Sequence, residues 1–159
     1  MDKIASFSIN HDKLMPGIYV SRKDRVGQET LTTFDIRFKR PNAEPPMETS
    51  AMHTYEHLGA TFLRNDPEWK DRTIYFGPMG CRTGFYVIFS GDLESKDIVD
   101  VVRRMCEYVM NFEGEIPGTV SRDCGNYLDH NLTYTKCYTE TYMRELLDHV
   151  TEDRLVYPE

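Results

Sequence analysis

The stretch TLTTFDIRFKRPNAEPPMETSAMHTYEHLGATFLRN, residues 30–65, sets a strand pattern and a helix pattern back to back. Over 30–40, Leu31, Thr33, Asp35 and Arg37 fall on one side and Thr32, Phe34, Ile36 and Phe38 on the other. A period of two marks a strand, so Phe34, Ile36 and Phe38 are predicted to face the core and Asp35 and Arg37 the opposite side. Residues 41–48 are Pro-rich, a loop within the domain and too short to link two domains. Thr49 or Ser50 can then cap a helix running to about Asn65, which Pro67 ends. Ala51, Tyr55, Leu58, Gly59 and Phe62 cluster on one side of it, as a core-packed face requires.

Outward from this stretch the same mixture continues. GIYVS (17–21) reads as a short strand, and RTIYFGP (72–78) and GFYVIFSG (84–91) as two more, joined by the glycine-rich GPMGCRTG. A second helix is predicted over roughly 93–112, with Ile98, Val101, Val102, Met105, Tyr108 and Val109 in one apolar stripe and Cys106 at its margin. EGEIPG breaks the chain, and SRDCGNYLDHNL is read as a turn leading to a last helix near 136–150. Strands and helices mix without a strict βαβ rhythm, which favours an α+β fold in one domain spanning 1–159.

The whole chain narrows the function classes. It has 159 residues, about 40% of them hydrophobic and 28% charged, ordinary values for a globular domain. A net charge of −7 with no long Lys/Arg run argues against a general nucleic-acid or membrane-surface binder. The opening MDKIASFSIN has no apolar core of a signal peptide, and no eighteen-residue apolar run occurs, so a cytoplasmic location is expected. Cys81, Cys106, Cys124 and Cys137 are therefore expected to be reduced thiols.

Within the first helix, His53-Thr-Tyr-Glu-His57 places two imidazoles one turn apart on one face, with Glu56 beside them. Such a pair can grip one divalent metal while the carboxylate moves protons at its edge. Two histidines do not close a catalytic site, and a third ligand is needed. Cys81, after a glycine and beside Arg82, and Cys124, next to Gly125, both lie outside apolar runs and are candidates, Arg82 being placed to support a Cys81 thiolate. Cys106 and Cys137 are read as structural, and His130 and His149 as surface or capping residues.

Together, HTYEHLGATFLRN, GPMGCRTGFY, RDCGNY, FDIRFKRPN and the opening SFSINHDKLMPGIYVSR resemble the S-ribosylhomocysteine lyase (LuxS) family, in its order and spacing over most of the chain. The resemblance implies an antiparallel sheet packed against helices, and a homodimer with two active sites at the subunit interface. It implies one divalent metal per subunit on His53, His57 and Cys124, expected to be Fe²⁺ with Zn²⁺ or Co²⁺ as substitutes. Glu56 and Cys81 are implied as the acid/base pair, and Ser6, His11 and Arg37 as substrate-binding residues. The implied reaction splits S-ribosylhomocysteine into homocysteine and 4,5-dihydroxy-2,3-pentanedione, the autoinducer-2 precursor, by walking a carbonyl from C1 to C3 before a β-elimination. In one departure, Tyr75 stands six residues before Cys81, where the family commonly has an aspartate. Two further readings stay open on the residues alone. One is an H-x-x-E-H hydrolase in which Glu56 activates water and Cys81 is dispensable. The other is a structural metal module closed by His53, His57, Cys124 and Cys81.

Overall fold

The computed structural model describes residue 4 and residues 7–159. Its sheet is antiparallel, with strands β1 (Gly17–Val26), β2 (Glu29–Arg37), β3 (Thr73–Pro78) and β4 (Gly84–Ser90) in the order β1-β2-β4-β3. Three helices, α1 (Thr49–Asn65), α2 (Val99–Asn111) and α3 (Leu132–Glu145), complete an α+β fold.

The register follows from the alternation in β2. Ile36 pairs with Ile18 of β1 and with Phe85 of β4, and Phe34 pairs with Val20 and Val87. Side chains directly opposite share a face, so one face becomes continuous and apolar: Ile18, Phe34, Ile36, Phe76, Phe85, Val87 and Phe89 are all buried. Met52, Tyr55 and Leu58 of α1, Val101, Val102, Met105 and Val109 of α2, and Tyr142 of α3 pack onto it in one core. Full burial of each such large side chain stabilises the fold by about 1.5–3 kcal/mol relative to exposure. At Gly59 of α1 an added Cβ would lie 2.6 Å from the Phe76 ring, so the lack of a side chain lets the helix approach the sheet.

The boundaries depart from the expected ones for local reasons. β1 continues to Val26, five residues past Ser21, because RKDRV pairs with β2 as an edge ribbon turning at Gly27, which has φ 65°. The α1 N-cap is Glu48, without a side-chain cap, while Asp66 receives the N–H groups of Glu68 and Trp69 just beyond the helix end. The second helical stretch opens with a 3₁₀ turn, Ser95–Ile98, where Asp97 accepts the Glu94 N–H at 2.8 Å. α3 begins earlier than predicted, at Leu132, because the Asn131 side chain caps it by accepting the Tyr134 N–H.

The opposite sheet face is not simply solvent-facing. Asp35 and Arg37 lie there as the alternation predicts, yet Arg37 is only 1% exposed. Tyr157, near the end of the chain, stacks on Tyr19 at 4.8 Å and donates its hydroxyl to Asp35 at 2.7 Å, covering the pair. No helix among the described residues is long and apolar enough to cross a membrane.

Candidate metal and proton-transfer site

His53 and His57 sit one turn apart on α1, both half-buried. Each Nδ1 contacts a backbone carbonyl, His53 that of Asp129 at 2.9 Å and His57 that of Pro117 at 2.7 Å. A carbonyl oxygen only accepts, so both rings donate from Nδ1 and, when neutral, leave Nε2 bare. The two Nε2 atoms are 3.1 Å apart, and Cys124 Sγ is 3.3 Å from that of His53. Bare lone pairs at that distance repel, and a cation between them removes the repulsion. A tetrahedral ion with bonds of about 2.0–2.1 Å to nitrogen and about 2.3 Å to sulfur sets its donors at roughly these separations. Backbone carbonyls on the far nitrogens are the usual partners of ligating histidines. The donor set therefore fits a divalent transition metal, borderline-soft in character.

One residue of this cluster escaped the sequence reading. His130 was expected at the surface or as a cap, but its donor atom and those of His53, His57 and Cys124 lie within 4.8 Å of one another. Its ring stacks on His53 with centroids 4.0 Å apart at 23°, and meets His57 edge-on at 4.8 Å. Burial, then the two neighbouring imidazoles, push its pKa down to about 4, so it is neutral near pH 7. The segment carrying it is fastened to α1 three times in succession. Asp129 receives His53, His130 Nδ1 meets Thr54 Oγ1 at 3.1 Å, and the Asn131 N–H donates to the same hydroxyl at 2.9 Å. The only hint in the sequence was the position of His130 directly before the helix-capping Asn131.

Glu56 is half-buried and lines a cleft of about 400 Å³ with His53, Met79, Gly80, Arg82 and Asn126. Cys81 opens on the other flank of the same β3–β4 turn, in a groove shared with His11, Asn42, Glu44 and Thr83. The turn is held by Arg82, which has φ 60° and donates its N–H to Met79 O at 2.9 Å. Arg82 sends its guanidinium towards Met47 O, at 3.4 Å. The guanidinium that reaches Cys81 is that of Arg37, 3.9 Å from Sγ, which also contacts Thr83 Oγ1 and ion-pairs with Asp35.

The charges behind Cys81 are buried. Burial pushes the Asp35 carboxyl up, against the pull of Arg37. Burial opposes the Arg37 charge too, but Asp35 held against it outweighs that, and the guanidinium is held above its ordinary value. Burial and then Asp35 raise the Tyr157 hydroxyl, which stays a donor. Cys106, in contrast, is fully buried, its thiol pushed up to about 12 chiefly by burial, in keeping with a packing role. Ser6 lies outside the described residues. Tyr75 is 48% exposed on the outer sheet face, beside Tyr86 and Ile88, and lines neither the Glu56 cleft nor the Cys81 groove.

Fold and site together define an α+β protein with a nitrogen–sulfur donor cluster able to hold a metal on one flank of a turn and an arginine-backed cysteine on the other. The family model for S-ribosylhomocysteinase (LuxS) matches residues 4–153. S-ribosylhomocysteine lyase of Finegoldia magna is 57% identical over 159 residues, covering 100% of both chains. The proteins of that name from Clostridium beijerinckii and Clostridium acetobutylicum are each 56% identical, covering 99% and 100% of both chains respectively. This chain belongs to the S-ribosylhomocysteinase (LuxS) family.

Proposed function

We propose that this chain, as one lyase domain over 1–159, cleaves the thioether of S-ribosylhomocysteine to homocysteine and 4,5-dihydroxy-2,3-pentanedione. The observation that carries the reading is the His53–His57–Cys124 donor set beside Glu56, with Cys81 and Arg37 on the other flank of the same turn. It occurs in a chain more than half identical, end to end, to relatives named for this activity.

A divalent metal on His53, His57 and Cys124, Fe²⁺ in this reading with Zn²⁺ or Co²⁺ as substitutes, supplies Lewis acidity towards the sugar oxygens. The proton transfers belong to side chains. A thioether on an unactivated carbon does not leave, but it does once a carbonyl stands two carbons away. The carbonyl must therefore migrate from C1 to C2 to C3, each step removing a proton beside it and returning one to the neighbouring carbon. Cys81 takes and returns such a proton, and Arg37 meets the negative charge that its sulfur carries. Glu56 relays protons among the hydroxyls and removes the last one, whereupon the C–S bond breaks and its electron pair leaves on sulfur. His11, on the Cys81 groove, joins Ser6 and Arg37 in holding substrate.

The working unit in this reading is a homodimer with its sites at the interface, in the cytoplasm. Two observations support the dimer. Exposed Tyr75 adjoins Tyr86 and Ile88 on the outer sheet, and within one chain the 79–83 turn stands between the two grooves that one substrate must reach.

The four-donor group gives some support to a second reading, a closed structural metal site, with His130 rather than Cys81 as its fourth member. Thiol release from S-ribosylhomocysteine by anaerobically Fe²⁺-loaded protein separates the two. Metal-dependent homocysteine release, lost in Cys81→Ala while the metal is retained, is the expected result. Stoichiometric metal without thiol release in the unaltered protein would reject the lyase.

A further inference from the structure

The sulfur of Cys81 has a nearer partner than Arg37. Thr83 Oγ1 lies 3.1 Å from Sγ, whereas Nη1 of Arg37 is 3.9 Å away. Thr83 is only 6% exposed, yet it lines the groove onto which Cys81 opens, together with His11 and Asn42. Backbone and side chain both fix its place. The Thr83 carbonyl accepts the N–H groups of Phe38 and Lys39, at 2.9 and 3.0 Å, which clamps the turn to the end of β2. Its β-branched side chain has few rotamers to choose from, and Arg37 Nη1 donates to the hydroxyl oxygen at 2.5 Å.

The hydroxyl hydrogen has one destination once Cys81 has given up its own. A guanidinium has only donors, so Thr83 accepts from Arg37 and keeps its hydrogen free. A thiolate has no hydrogen and can only accept. Thr83 Oγ1 has no other hydrogen-bond partner among the described residues. The charged sulfur therefore receives the Thr83 hydrogen, from a hydroxyl that Arg37 polarises. Hydrogen bonds to an ionised acceptor are among the stronger kinds. The thiol makes no such demand, because its own S–H can turn towards the hydroxyl oxygen.

We propose that Thr83 is a further catalytic residue, whose hydroxyl donates to the Cys81 sulfur while that sulfur carries charge and so aims it into the groove. The proposal rests on the lyase reading above. Thr83 engages one lone pair of the sulfur and Arg37 stands beside it, so the remaining lone pairs are left for the groove, where the substrate C–H must come. As Cys81 takes the proton, a sulfur lone pair forms the S–H bond and the C–H electron pair moves towards the adjacent carbonyl. The hold of Thr83 on the sulfur weakens as the charge leaves and returns when the proton is delivered to the neighbouring carbon.

The test uses full-length protein loaded with Co²⁺ and compares unaltered Thr83 with Thr83→Val and Thr83→Ser. Valine keeps the shape without the hydroxyl, and serine keeps the hydroxyl without the methyl group. Metal content and thermal unfolding are read first, and turnover is measured well below unfolding. Thr83→Val should lower kcat for thiol release from S-ribosylhomocysteine roughly 10–100-fold with KM little changed, and Thr83→Ser should recover most of it. Iodoacetamide alkylation, read at Cys81 by mass spectrometry without substrate, should move its pH midpoint up by about one to two units in Thr83→Val and back in Thr83→Ser. If Thr83→Val does not fold, Thr83→Ala takes its place, differing from Thr83→Ser by the hydroxyl oxygen alone. Equal kcat in Thr83→Val and the unaltered protein overturns the proposal, as does an equal loss in Thr83→Val and Thr83→Ser. A loss carried by KM places Thr83 behind Arg37 in holding substrate and overturns the catalytic role too. Unaltered protein that holds Co²⁺ but releases no thiol from S-ribosylhomocysteine refutes the lyase reading itself, and the proposal with it.

Discussion

Around Cys81 each charge has its counter-charge within the chain: Arg37 faces Asp35, and Tyr157 closes over Asp35. Around His53 the opposite holds, with the bare Nε2 atoms of His53 and His57 and the Cys124 thiol close together and His130 beside them. The first region balances its charges once the chain folds, although Asp35 Oδ1 and Arg37 Nε stay buried without a hydrogen-bond partner, whereas the second holds neutral donor atoms against one another with no cation among them. Two flanks of one turn can thus be tuned separately, one by packing and one by loading.

Replacing Cys124 tests that separation most severely. Cys124→Ala should lose stoichiometric metal and all thiol release, yet Cys81 should be alkylated by iodoacetamide as fast as before. Slowed alkylation would mean that the flanks are coupled. Glu56→Gln should keep its metal, measured by elemental analysis, and lower kcat by about 10²–10⁴-fold, the usual share of a general acid/base group.

Arg37→Met sharpens the contrast from the other side. It leaves Asp35 buried and unpaired, which should destabilise the fold by about 3–5 kcal/mol in urea unfolding. Removing both partners, Asp35→Asn with Arg37→Met, should recover much of that loss. Thr54→Val should cost less, about 1–3 kcal/mol for the polar groups it leaves buried, and weaken metal binding by roughly 10–100-fold through the 129–131 segment, whose Asp129 carbonyl holds the His53 ring.

The smallest effect should come from Asp66, at the far end of α1, and should spare both flanks. Burial pushes its carboxyl up, but Arg104 and the N–H groups of Glu68 and Trp69 outweigh it and hold the pKa below the ordinary carboxylate value. A depressed folded pKa contributes stability that is present above the unfolded value of about 3.9 and lost as pH falls through the folded one. Asp66→Asn should therefore flatten the acid limb of stability against pH below about 4, with metal content unchanged.

How far the sequence spoke depended on the range of the interactions. The α1 and α2 faces were legible because each repeats at helical spacing, and β2 because its alternation is strict. The placing of His53 and His57 one turn apart on a helix was legible for the same local reason. β1 was read short because an edge strand with charges on both sides carries no alternation. Arg37 was assigned to the correct face, but its burial depends on Tyr157, 120 residues away, which no local pattern encodes. Arg82 was the nearer cation to Cys81 in sequence, and the turn sends it elsewhere. His130 joined the cluster only through Thr54, 76 residues earlier.

The shared tautomer of His53 and His57 also bears on how many protons metal uptake must release. Neutral His53 and His57 present bare Nε2 atoms and keep their Nδ1 protons on backbone carbonyls. Neither ring, so held, has to surrender a proton to an incoming ion, whereas a thiol must become a thiolate to ligate. Loading a weakly buffered, metal-free sample should then liberate no more than one proton per ion. The centre can thus fill and empty with its imidazole Nδ1 protons in place, the two carbonyls holding the rings in the orientation that an ion needs whether or not one is there.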